Sequence, residues 1–193
     1  MQTARARFTE DEYLALERAA DSRHELINGE IVAMAGGTPE HALIASNVSA
    51  ALRNRLRGRG CMPLSADARI HVPATGLYTY PDDSVFCGVL ERHPKDANTL
   101  LNPTLLVEVV SEGTEAYDRG AKFAHYRSIV SLRAYLIVSP SDRTLELFER
   151  NADGSWTISG PTGPGEAVSV RALGIEVPTD EVFEDLDLAT GGG

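Results

Sequence analysis

The chain has 193 residues, of which 42% are hydrophobic and 24% charged; these are the proportions of one ordinary globular domain, long enough to bury a core. No window approaches the ~18 consecutive apolar residues of a membrane span, and Met1–Thr9 lacks an apolar signal-peptide core, so a soluble, cytoplasmic protein without membrane contact is expected. The formal net charge of −10 argues against a protein that grips nucleic acid over a broad basic face, because counterion release from phosphates supplies most of that affinity.

In chain order, Phe8 to about Ala20 reads as a short helix. Thr9 and Glu12 have the spacing of a capping box, and Leu14 with Leu16 begins an apolar side. His24–Met34 holds two short extended runs around Asn28-Gly29, a dipeptide suited to a type I′ turn because both positions need positive φ. Thr38-Pro39-Glu40 opens a second helix, with threonine as cap and proline in the first turn. It runs to about Arg57, carries Leu43, Ile44, Val48, Ala51 and Leu52 at helical spacing, and stops at Gly58. Three strand-like runs follow: Pro63–Val72, Leu77–Cys87 and Thr104–Ser111, with the polar segment Glu91–Asn102 reading as a loop. A helix from about Tyr117 to Ile129 leads into a buried-looking strand, Ala134–Val138. Thr144–Glu149 and Ser155–Ser159 flank Asp153-Gly154 as a hairpin. Gly160–Gly165 reads as a loop, Ala167–Val177 as one more strand. No internal repeat or interdomain linker interrupts this order. One mixed-sheet α/β domain over residues 1–180 is expected, followed by a flexible tail over 181–193.

Cys61 and Cys87 form no CxxC pair and sit among apolar or strand-like residues, so both are expected to be reduced core thiols, as in a cytosolic protein. Arg53, Arg55, Arg57 and Arg59 cluster in one short stretch. They read as a solvated helix end complementing the C-terminal dipole, with a phosphate-facing patch as the alternative.

The search for chemistry starts by elimination. The histidines at 24, 41, 71, 93 and 125 include no pair with zinc-helix spacing, and there is no nucleophile elbow, P-loop or dinucleotide glycine pattern. Gly36-Gly37 precedes a helix but has no lysine with it, and reads as a loop. The anomaly is Glu108, inside the run Thr104-Leu105-Leu106-Val107-Glu108-Val109-Val110, which otherwise reads as a strand buried on both faces. An ionised carboxylate there is costly unless compensated. A buried ion pair, a protonated carboxyl, an edge position facing water, or a metal-ligand or acid/base role would each account for it. The functional role gains from Asp82. That residue stands after Pro81, where a turn is ordinary, but apolar residues flank it on both sides as in a strand. Adjacent strands bring matching side chains to about 5 Å, and a divalent cation with a taste for hard oxygen, Mg²⁺ or Mn²⁺, would relieve the repulsion between two carboxylates. Lys122, on the helix after the Glu108 strand, either forms a surface pair with Asp118 four residues before it or stabilises charge at the site.

Several segments together carry a resemblance. Phe8-Thr9-Glu10-Asp11-Glu12-Tyr13-Leu14, His24-Glu25-Leu26-Ile27-Asn28-Gly29-Glu30 and Tyr80-Pro81-Asp82 resemble the Uma-two family of restriction-endonuclease-like proteins, within the PD-(D/E)XK nuclease superfamily. So do Leu106-Val107-Glu108-Val109-Val110-Ser111 and Tyr117-Asp118-Arg119-Gly120-Ala121-Lys122-Phe123. The resemblance spans almost the whole chain. It implies a restriction-endonuclease-like core, a central mixed sheet flanked by helices, with Asp82 and Glu108 as metal ligands. The superfamily lysine normally follows the glutamate by two residues, where this chain has Val110, so the resemblance passes that role to Lys122. Glu25 matches the additional N-terminal carboxylate. Asp83 stands where similar sequences place an aliphatic residue.

The expected function is Mg²⁺- or Mn²⁺-dependent hydrolysis of phosphodiester bonds in DNA by an endonuclease. Asp82 and Glu108 would hold the metal with the Val109 carbonyl, Lys122 would position or polarise the water, and Glu25 would support a second metal or that water. The rival expectation, which the net charge of −10 favours, is a catalytically inactive, homodimeric interaction or nucleic-acid-binding domain that keeps the nuclease fold.

Overall fold

A computed structural model describes residues 7–190. Residues 1–6, most of the segment read for a leader, and 191–193 lie outside the described residues. Helix α1 is Glu10–Ala19, and its capping box is formed: the Glu12 amide donates to Thr9 Oγ1 at 3.3 Å and the Thr9 amide to Glu12 Oε2 at 2.8 Å. Strands β1 (His24–Ile27) and β2 (Glu30–Ala33) pair around Asn28 (φ 51°) and Gly29 (φ 84°), the two positive-φ positions that the turn requires. Helix α2, Pro39–Leu56, starts under the Thr38 cap.

The strands that follow are shorter than the sequence pattern suggests. The expected run Pro63–Val72 breaks into β3 (Cys61–Ser65) and β4 (Arg69–Val72) around a Ser65–Ala68 turn, and Leu77–Cys87 breaks into β5 (Leu77–Thr79) and β6 (Asp83–Cys87). In both runs the two halves belong to different sheets. Pro81 has no N–H to give a ladder. The expected loop Glu91–Asn102 instead forms β7 (Arg92–His93) and β8 (Asp96–Leu100). Its polar side chains misled the pattern: Asp96 and Thr99 are buried because Arg69 takes both, Thr99 Oγ1 accepting from Nε at 2.8 Å. Strand β9 is Leu105–Val109. The next helical segment has three parts, α3 (Glu115–Tyr117), a π turn (Asp118–Lys122) and α4 (Phe123–Tyr126). Strands β10 (Ala134–Ser139), β11 (Thr144–Arg150) and β12 (Trp156–Ile158) follow, then β13 (Ala167–Val170) and β14 (Ile175–Pro178), a hairpin rather than one strand.

Two six-stranded mixed sheets result, in the orders β2-β1-β5-β4-β8-β7 and β12-β11-β10-β9-β6-β3. β9–β10 and β4–β8 are parallel and the other neighbours antiparallel. The parallel β9–β10 pair needs a crossover, and α3, the π turn and α4 supply it. Three apolar clusters hold the layers. Tyr13 and Leu14 of α1 meet Leu26 and Tyr78 of the first sheet. Ile70, Val72, Leu77 and Leu100 of that sheet meet Leu106, Tyr135 and Ile137 of the second. The opposite face of the second sheet, with Val107, Val109, Leu136 and Val138, packs on α2, β13 and β14. Among the described residues no helix is long and apolar enough to cross a membrane.

Two further expectations need correction. Cys61 and Cys87 are joined in a disulfide: the β3–β6 register sets them directly opposite each other, and their separation of 26 residues hid this from the sequence pattern. The reduced-thiol premise for a cytoplasmic location therefore falls away. The four clustered arginines form a solvated helix end as expected, with Arg53 and Arg55 in the last turn of α2 and Arg53, Arg57 and Arg59 exposed; Arg55 also makes a two-pronged bond to Glu181 (2.8 and 2.7 Å) and Arg59 donates to the Gly174 carbonyl at 3.1 Å. The segment expected as a flexible tail carries α5 (Thr179–Val182) and α6 (Leu186–Thr190), and buries Val182, Phe183 and Leu186 against α2. Leu186→Ala should therefore lower unfolding free energy by roughly 2–4 kcal/mol, the range for emptying a packed core position. The check is the urea midpoint at unchanged slope; an unshifted midpoint would mean that this segment does not pack.

Candidate metal centre

The residues singled out from the sequence come together at the carboxyl end of β9. The β6–β9 register pairs Ser84 with Leu106 and Asp83 with Val107, so its next step would set Asp82 opposite Glu108. β6 begins at Asp83, however, and Asp82 lies in the passage between the two sheets. Its Oδ2 accepts from the Val109 amide at 2.7 Å and faces His41 Nε2 at 3.3 Å. Side chains alternate across a strand, so Asp83 points the other way, toward α2, where Ser49 donates to its Oδ2 and its Oδ1 is buried without a partner. Burial pushes the Asp83 carboxyl up to about 7. Asp83 thus stands apart from Glu108, on the opposite face of the sheet.

Glu108 is 5% exposed. Its Oε1 accepts from Lys122 Nζ at 2.7 Å and from the Tyr126 hydroxyl at 2.7 Å. Lys122 Nζ also lies 3.3 Å from Asp118 Oδ1 and 4.0 Å from Glu25 Oε1, so it is a buried hub rather than a surface partner of Asp118. Glu25, on β1 of the other sheet, accepts from Thr79 Oγ1. The π turn matters here. It carries Asp118 and Lys122, an i,i+4 pair, on its buried face, and such turns recur at functional sites. Burial pushes Glu108 up to about 8, opposed by the Lys122 charge. Burial also works against the Lys122 ammonium, but Glu108, Glu25 and Asp118 overcome it and hold its pKa above the ordinary lysine value. The Asp82 hydrogen bond raises His41, against burial, and the Val109 backbone adds to the rise.

Glu108 feels the Asp82 charge, and four carboxylates (Asp82, Glu108, Glu25, Asp118) share one ammonium and one imidazole. These bonds engage Asp82 Oδ2 and Glu108 Oε1, and the second oxygen of each carboxylate takes no part in them. An excess of hard oxygen donors of this kind fits Mg²⁺ or Mn²⁺.

The family described as "Uma2: Putative restriction endonuclease" matches residues 10–180. The chain belongs to this family. Similar proteins in Synechocystis sp. are the uncharacterized proteins slr1290, 35% identical over 91% of this chain and 91% of that one, and sll1609, 28% identical over 86% and 94%. A solved structure described as "a putative nuclease belonging to DUF820" from Anabaena variabilis superposes with a TM-score of 0.73 at 18% identity, over 91% of this chain and 97% of that one. The fold of this Uma2 chain is therefore shared with a nuclease-like protein.

Sequence reasoning missed His41, Tyr126 and the bond from the Val109 amide. His41 lies at the start of α2, far from Asp82 in the chain, and looks like any polar residue of a first turn. Tyr126 reads as core. The network makes a direct prediction. Lys122→Met should strand buried carboxylates and cost about 3–5 kcal/mol, and adding Glu108→Gln should recover part of that loss. Chemical unfolding of both single variants and the double variant yields the coupling energy; strictly additive losses would mean that the two groups do not act on each other.

Proposed function

We propose that this Uma2 protein is a Mg²⁺- or Mn²⁺-dependent endonuclease that hydrolyses phosphodiester bonds of DNA. The observation that supports it is the surplus of carboxylates over cations around Lys122, at a place where the fold is that of a nuclease-like protein. Asp82 and Glu108, with the Val109 carbonyl, would hold the metal. Bound there, a divalent cation offsets phosphate charge and lowers the pKa of a water. Asp82 is oriented for this by the Val109 amide, and Glu108 by the Tyr126 hydroxyl. The carboxylates around Lys122 hold its pKa above the ordinary lysine value, which favours an electrostatic and positioning role toward the water and the developing phosphorane charge over that of a base. Glu25, reached from the other sheet, supports a second cation or the attacking water.

A second reading keeps the fold without the reaction: a homodimeric interaction domain. The net charge of −10 favours it, and so does the pairing of Arg55 on α2 with Glu181. Cleavage of supercoiled plasmid and of single-stranded DNA with Mn²⁺ separates the two. The nuclease reading expects Asp82→Asn and Glu108→Gln each to abolish metal-dependent cutting in a folded protein, and Lys122→Ala to lower turnover by ~10²-fold while metal affinity holds. Cutting by both carboxylate variants at the wild-type rate would overturn the assignment of the site, and no cutting by wild type with any divalent cation would favour the interaction domain.

A further inference from the structure

A second cluster lies in the first sheet, away from the carboxylates just described. Glu10 at the start of α1, His71 on β4 and His93 on β7 each offer a ligand atom, and the three atoms lie within 4.8 Å of one another. Both imidazoles are buried, at 5% and 9% exposure. The two rings meet edge to face with centroids 5.1 Å apart, and His93 Nε2 is 3.9 Å from Glu10 Oε1. His71 Nδ1 lies 3.1 Å from the Leu77 carbonyl, which can only accept. That ring nitrogen therefore carries the proton, and Nε2 is left as a lone-pair donor. A carbonyl fixing the far nitrogen of a histidine is the outer-shell arrangement that orients metal-binding imidazoles. The Tyr78 ring stacks on His71 at 4.1 Å, and its hydroxyl lies 3.5 Å from His93 Nε2, closing the cluster on the sheet side.

We propose that Glu10, His71 and His93 form a binding site for a borderline divalent transition metal of the Zn²⁺ class. Two imidazole nitrogens and one carboxylate oxygen are the donor set of that class, whereas Mg²⁺ prefers oxygen throughout. Three protein ligands leave a further coordination position, which water fills. In the metal-free protein a cation already stands at the carboxylate: Lys95 Nζ is 2.9 Å from Glu10 Oε1 and 2.9 Å from Asp11 Oδ1. The Lys95 side chain is 53% exposed, so it can swing into water when a metal takes its place. Capture of the metal at His93 Nε2 displaces the long 3.5 Å contact with the Tyr78 hydroxyl and, because the ring proton then moves to Nδ1, the long 3.3 Å bond from the Lys95 amide. The site would tie α1 to β4 and β7, joining a helix to the far edge of the first sheet.

The test uses the full chain, stripped with a chelator, titrated with Zn²⁺ by calorimetry and with Co²⁺ by its visible ligand-field absorption. Wild type should bind one equivalent of Zn²⁺ at this site even with millimolar Mg²⁺ present. Asp82→Asn/Glu108→Gln should retain that equivalent, whatever becomes of nuclease activity. Glu10→Gln should weaken it at least about tenfold, and His93→Gln should remove the Co²⁺ band. Lys95→Met should tighten binding several-fold, because it removes the competing ammonium. Should His93→Gln fail to fold, Glu10→Gln and Lys95→Met, both at half-exposed or exposed positions, still decide the matter. Absence of Zn²⁺ binding by wild type, or equal affinity in Glu10→Gln, Lys95→Met and wild type, would overturn the proposal.

Discussion

Lys122 Nζ stands within 4.0 Å of carboxylates from β1, β9 and the π turn, and the burial of Glu108 depends on it. Desolvating a carboxylate costs several kcal/mol unless a counter-charge and good hydrogen bonds repay it. Here the ammonium and the Tyr126 hydroxyl both converge on one oxygen of Glu108. The arrangement is satisfied but strained in charge, since the acids outnumber the bases. The proposed metal role rests on this imbalance, because a structural ion pair would carry as many bases as acids.

The position of Lys122 follows from backbone geometry. Residues 118 and 122 would be neighbours on a plain α-helix as well. The π turn over Asp118–Lys122 widens the helix at the point where the crossover passes β9. Asp82 owes its place to a comparable irregularity. The chain leaves the first sheet at Thr79 and enters the second at Asp83, so Asp82 belongs to neither ladder. Its carboxylate is free to cap the Val109 amide. The site thus forms where regular structure gives way, and it takes Glu25 from one sheet and Glu108 from the other.

Much of this was legible in the chain, and the failures share a cause. Local signals read well: the Thr9–Glu12 box, the Asn28-Gly29 turn, the Thr38-Pro39 start and the apolar β9 with its misplaced Glu108 all appear as expected. What local pattern cannot carry is the partner. The apolar and aromatic residues of Leu77–Cys87 could not show that its two halves pair with different strands. The polarity of Glu91–Asn102 could not show that Arg69 was waiting to bury Asp96 and Thr99. His41 and Tyr126 enter the site only through long-range contact, and the cysteines meet only through the β3–β6 register.

The Cys61–Cys87 bond has a topological consequence. It closes a covalent ring that contains β4, β5 and both passages between the sheets, with Asp82 inside it. A protease that cut once anywhere from Met62 to Phe86 would open the ring without dividing the molecule. The two new termini would stay tethered, and Asp82 would remain joined to the rest of the site, through β6 when the cut lies before it and through β3 and the disulfide when the cut lies after it.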